Sequence, residues 1–112
     1  MINSDTIHLI DRTIHEPVRL VVMCMLLDLD KKEVRFLEVC TELQLTKGDL
    51  SEHVTILETK GYIKCRRTYE NKKPALYLSL TPLGKERTRR YQDVMREICK
   101  VGKLEIRRTT RE

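Results

Sequence analysis

Glycine is scarce in this chain: four residues in 112, each placed where a helix cap or a turn accounts for it. No glycine-rich loop is therefore available to cradle a nucleotide phosphate. No Ser/His/Asp set and no pair of carboxylates on an apolar background can be assembled, so nothing points to an enzyme or calls for a cofactor. Long apolar runs are missing too. The longest, Leu20 to Leu27, stops at Asp28, far short of the roughly 18 residues that span a bilayer. The amino terminus lacks the basic flank and apolar core of a secretion signal, which together with the short runs predicts a cytoplasmic protein without membrane contact. Cys24, Cys40, Cys65 and Cys99 are spread too evenly for zinc-ligand spacing or a disulfide framework, and reduced thiols in small core positions are expected. No internal repeat or low-complexity segment breaks the chain.

What is present is charge, unevenly placed. The net charge is +5, yet residues 1–61 carry 7 Lys/Arg against 11 Asp/Glu, residues 62–81 carry 5 against 1, and residues 82–112 carry 10 against 5. A polyanion would meet the second and third segments first, because long-range attraction depends on where charge sits. A chain of this length makes one domain with a real but marginal core, and dimerisation is expected to support it.

Helical spacing of Ile7, Ile10 and Ile14 predicts a first helix over residues 4–14. His8, Asp11 and His15 lie one position further round. A metal could use that spacing, but two histidines and an acid on a polar flank are more simply solvated. Pro17 suits the first turn of a second helix reaching about Leu29. Val18, Val21, Val22, Cys24, Met25, Leu26 and Leu27 cover most of that helix, which places it in mid-core. Val34-Arg35-Phe36 reads as a very short strand, and Phe36, Leu37, Val39, Cys40 and Leu43 describe a short helix. Thr46 with Asp49 three residues on fits an acidic capping box, so the next helix starts near Lys47. Leu50, Val54 and Leu57 make its buried stripe, Ser51, Glu52, Thr55 and Thr59 its outer face, and Gly61 its left-handed stop. The two short helices form a helix-turn-helix.

Residues 62–69 and 75–80 alternate as strands around Glu70-Asn71-Lys72-Lys73-Pro74, a hairpin with a lysine-bearing tip flanked by Arg66 and Arg67. Such lysines also discourage edge-to-edge association, but beside a helix-turn-helix they suggest a wing that touches nucleic acid. Thr81-Pro82 then opens a long helix over 82–104. Its stripe of Tyr91, Val94, Met95, Ile98 and Val101 suits a dimer partner, the first helix of the same chain, or both. Residues 105–112 read as a basic, frayed tail. The fold class is mainly α with a small β-hairpin: a winged helix-turn-helix spanning 17–81, an N-terminal helix over 1–15, and a dimerisation helix after it.

Five segments carry a resemblance: Ile14-His15-Glu16-Pro17-Val18-Arg19-Leu20, Leu45-Thr46-x-Gly48-x-Leu50-Ser51-x-His53, Leu57-Glu58-x-x-Gly61-Tyr62-Ile63, Lys73-Pro74, and Leu80-Thr81-Pro82-x-Gly84. Together, over about residues 7–100, the chain resembles the small winged-helix transcriptional regulators of the MarR/ArsR type. The resemblance implies a cytoplasmic homodimer that binds double-stranded DNA, with recognition helices in successive major grooves and wings on the flanking backbone. Carried over, Lys47, Gly48, Ser51, Glu52 and Thr55 meet bases or phosphates, while Arg66, Arg67, Lys72 and Lys73 neutralise phosphate. Ile7, Ile10, Ile14, Tyr91, Val94, Met95, Ile98 and Val101 form the dimer seam. Metal-sensing members use closely spaced cysteines before the recognition helix; only Cys40 stands there, so no metal is expected. The resemblance leaves room for a small-molecule effector between the DNA-binding unit and the dimer helices, with no residue that identifies one.

The chain also departs from the family pattern. Lys47 and Lys60 face Asp49, Glu52 and Glu58, so the recognition helix is net acidic where family members are commonly basic. Glu52 can accept from a cytosine amino group but is repelled by phosphate. His53, beside the buried stripe, suits a packed role better than a DNA contact. The acidic helix keeps a second function open, a winged-helix module that binds protein as an adaptor or anti-regulator.

Overall fold

The path from sequence to architecture is clearest at the helix boundaries. In the computed structural model, which describes residues 4–29 and 32–109, Glu16 caps helix α2 (Pro17–Asp28) by accepting from the Arg19 amide at 2.8 Å, with Pro17 in the first turn. A two-residue strand, β1 (Val34–Arg35), leads into α3 (Phe36–Leu43). The turn to the next helix is made without glycine: Gln44 takes a left-handed φ of 54°, and the amides of Gln44 and Leu45 return to the carbonyls of Thr41 and Cys40. Thr46 then caps α4 (Lys47–Thr59), its hydroxyl accepting from the Asp49 amide at 3.1 Å. Gly61 (φ 77°) ends the helix as its spacing predicts.

Two long strands follow, β2 (Ile63–Glu70) and β3 (Lys73–Leu80), and a final helix, α5 (Pro82–Thr109). The sheet is antiparallel in the order β1-β3-β2. Tyr77 pairs with Arg35 on one side and Arg66 on the other, so three residues make one row across all strands.

Three boundaries differ from expectation. The predicted first helix over 4–14 is α1 (Ser4–His8) only. Asp11 ends it by accepting from the amides of Thr13 and Ile14 at 2.9 and 3.2 Å, a local bond that competes with helix continuation. The predicted five-residue hairpin loop is a two-residue turn, Asn71-Lys72, with φ of 52° and 66° as a type I′ turn requires. Lys73 and Pro74 therefore belong to β3. Pro74 is tolerated because β1 reaches only Tyr77 and Leu78, leaving that end of β3 without a second neighbour. The predicted frayed tail from 105 is helical as far as Thr109, in a stretch of Leu, Glu, Ile and Arg that contains no breaker.

The core gathers Ile14, Val22, Met23, Leu26, Val39, Leu50, Leu57 and Leu78 between α2, α4 and the sheet. Met23, absent from the apolar set singled out in the sequence, is fully buried, whereas Val21 is 44% exposed. Gly84 lies against the backbone of Tyr62, where any Cβ would overlap the Tyr62 carbonyl. That carbonyl also accepts from the Thr81 amide, and the Thr81 hydroxyl donates to the Gly61 carbonyl at 2.6 Å. The end of α4, the start of β2 and the start of α5 are thus locked into one joint.

Candidate nucleic-acid interface

The capping and stripe that set α4 leave Lys47, Gly48, Ser51, Glu52, Thr55 and Thr59 exposed on one side. Thr55 turns its hydroxyl back to donate to the Ser51 carbonyl at 3.0 Å. Ile56 is partly buried. His53 points away from this face. Its Nδ1 lies 3.1 Å from Arg19 Nη1 and 3.6 Å from the Glu16 carboxylate, while Arg19 Nε donates to the Thr13 carbonyl. The packed role expected for His53 is the one observed: it ties α4 to the start of α2.

On the wing, Lys72 sits at the turn and Lys73 beside it, both exposed and without an ion pair among the described residues. The two arginines are placed differently. Arg66 donates from Nη2 to Glu33 at 2.6 Å and from Nε at 3.1 and 3.2 Å, and its guanidinium lies 4.5 Å from the Tyr77 ring centre. The Arg66 hydrogen bond holds the Glu33 carboxyl below its ordinary range, and Glu33 in turn raises Arg66. Arg35 pairs with Glu70, which also accepts from the Tyr77 hydroxyl at 2.5 Å. Arg67 reaches Glu58 on α4 at 3.5 Å. Of the four wing cations expected to meet phosphate, Lys72 and Lys73 face solvent, Arg66 is held by an acid, and Arg67 is loosely shared with the recognition helix.

Between α3, the start of α4 and the wing runs a cleft of about 440 Å³ lined by Arg35, Phe36, Leu37, Lys47, Arg67, Thr68, Tyr69, Pro74, Ala75 and Leu76. Its lining brings Lys47 beside Arg35 and Arg67, whose acid partners are Glu70 and Glu58. Tyr69, 75% exposed at its edge, went unnoticed in the sequence, where alternation says which residues share a face but not whether that face is covered. Glu33 and Arg35 were missed as well; no local pattern signals their pairs with Arg66 and Glu70, formed across 33 and 35 residues.

The expected dimer seam is divided. Ile14 and Tyr91 are buried in the core of their own chain at 0% and 5% exposure, Val94 is nearly so, and Met95 packs against that core. For these positions the partner is the same chain, because the turn after α1 folds Ile14 inward and Tyr91 meets His15 at 2.7 Å. Ile7 is 54% exposed, Ile10 and Ile98 are partly so, and the side chain of Val101 lies outside the described residues. Asp11 and His15 are turned to other uses than the metal spacing considered above. The Asp11 carboxylate accepts from the Tyr62 hydroxyl at 2.5 Å and from two backbone amides, and His15 meets Tyr91. Burial, followed by the bond to Asp11, pushes the Tyr62 phenol up to about 12. Burial, followed by Glu58, pushes the Cys65 thiol up to about 11. No described helix is long and apolar enough to cross a membrane.

Comparison with solved structures gives the same arrangement. A transcriptional regulator homologue from Pyrococcus horikoshii OT3 is 26% identical, with a TM-score of 0.72 over 80% of this chain and 86% of its own. HlyU from Vibrio cholerae N16961 is 25% identical over 78% and 88% of the two chains, with a TM-score of 0.58. A MarR-family protein from Enterococcus faecalis V583, 21% identical over 100% of this chain and 96% of its own at a TM-score of 0.64, shares the fold. No curated protein sequence matches significantly. A helix-turn-helix capped at Thr46, a two-residue-tipped wing and the joint at Gly84 fall within residues 18–99, which match the winged helix DNA-binding domain, and the chain belongs to that family.

Proposed function

We propose that the protein is a sequence-specific transcriptional regulator that binds double-stranded DNA as a homodimer in the cytoplasm, through binding alone and without catalysis. The observation that carries this is the exposed polar face of α4 with Lys47 at its start, together with Lys72 and Lys73 exposed at the hairpin tip and without an ion pair among the described residues. A winged helix places the helix in the major groove and the hairpin on the flanking backbone. Ser51, Glu52 and Thr55 can then read base edges, while Lys47, Lys72 and Lys73 neutralise phosphate. The exposed Ile7 and the partly exposed Ile10 and Ile98 supply the surface for a second copy.

Selection from a random duplex pool tests this. Enrichment of a palindrome with half-sites about one helical turn apart is the expected result. Recovery of no common sequence, or of a single unrepeated half-site, would overturn sequence reading or dimeric binding respectively.

A further inference from the structure

The wing arginine most tightly held by an acid is the one that looked, in sequence, like a phosphate ligand. Arg66 gives both Nε and Nη2 to Glu33, and its ring-stacked position over Tyr77 completes the enclosure. Arg35 occupies the other side of the same tyrosine, 5.9 Å from the ring centre, with Glu70 as its acid. Two arginines flank one ring in a single row across the sheet, and each has its own carboxylate.

Stability does not explain the arrangement at Arg66. Its side chain is 50% exposed and that of Glu33 34%, and an ion pair so open to water adds little to stability. DNA binding is more sensitive to one cation. Sequence-independent affinity comes almost wholly from phosphate neutralisation, and each cation that meets a phosphate adds roughly 0.9 to the slope of log affinity against log salt. An arginine already neutralised within the protein adds nothing to that slope.

We infer that Glu33 limits overall DNA affinity and acts through Arg66: it holds the guanidinium out of the phosphate count and so weakens binding to any duplex. The base-reading face of α4 is untouched by this pairing, so the preferred sequence stays the same while affinity for every duplex falls. The inference rests on the DNA-binding function proposed above.

The test measures binding of the full chain to a mixed-sequence duplex by fluorescence anisotropy across a salt series. Parent, Glu33→Gln, Arg66→Gln and the double variant are compared, with thermal unfolding as the folding check. Glu33→Gln is expected to bind roughly eightfold tighter at 0.1 M salt with a slope steeper by about 0.9. Arg66→Gln alone keeps the parent slope, and the double variant returns to it. Glu33→Asp, which retains the charge, stays near the parent. A shallower slope for Arg66→Gln alone would show that Arg66 already meets phosphate and would overturn the inference. An unchanged or shallower slope for Glu33→Gln would overturn it too. If the parent itself shows no salt-dependent binding, the DNA-binding function fails first and this inference with it, an outcome distinguishable because no variant is needed to see it.

Discussion

The recognition helix and the wing carry opposite charge, and the structure narrows the contrast that the sequence draws. Helix α4 is acidic on balance and the hairpin strongly basic, yet Glu58 of the helix faces Arg67 of the wing, and Glu33, just before β1, faces Arg66. The helix neutralises one wing arginine and the approach to β1 another. Under the proposed function, what remains for DNA is Lys47 at the helix start and Lys72 with Lys73 at the hairpin tip, with Ser51, Glu52 and Thr55 between. Formal charge therefore overstates what the wing offers a phosphate, because an arginine beside a carboxylate is no longer a free cation.

The most damaging way to break the comparison is at the joint that fixes one region against the other. Gly84→Ala drives a methyl group into the Tyr62 backbone, and a loss of about 3 kcal/mol in unfolding free energy is expected by urea denaturation. The division of labour is tested more directly by Lys72→Ala with Lys73→Ala. Removing two phosphate contacts should flatten the salt slope by about 1.8 and weaken duplex binding roughly 60-fold at 0.1 M salt, with little change in the preferred sequence. Thr46→Ala removes the cap that starts α4. It should reduce stability by about 1 kcal/mol, read by thermal unfolding.

A smaller effect is expected in alkali. The Cys65 thiol and Tyr62 phenol are both held protonated in the folded state, at about 11 and about 12 against ordinary values of 9.0 and 10.0. Folded pKa values above the unfolded ones mean stability that is complete below about pH 9 and is lost as pH rises toward 11 and 12. The melting temperature should fall across that window, and Cys65→Ser should flatten its lower part. Smallest of all is Glu52→Gln. Deleting an anion from the exposed face of α4 proposed to meet DNA should tighten binding to arbitrary duplex roughly threefold by anisotropy. If Glu52 accepts from a cytosine amino group, the same change relaxes preference at one position of the selected site.

Much of the fold was legible because its signals are local. The cap at Thr46, the stop at Gly61, the proline openings of α2 and α5 and the alternation of β2 and β3 each depend on neighbours within four residues. Two of the three boundary errors share a cause. Asp11 ended the first helix by bonding to nearby amides, and Asn71-Lys72 took positive φ without a glycine. In both places a side chain or backbone preference outside the usual signature overrode the apparent pattern. Gln44 made the helix-turn-helix turn in the same unadvertised way.

The sequence by itself determined where helices and strands begin, which stripes are apolar, and where positive charge accumulates, since these follow from residue type and periodicity. Tertiary structure decided which charges remain available. Glu33 reaches Arg66, and Glu70 reaches Arg35, across a sheet whose strand order places residues far apart in the chain side by side. It also turned Ile14 and Tyr91 into core rather than seam. Periodicity fixes the face on which a side chain lies, but only the packing of the whole chain decides what covers that face.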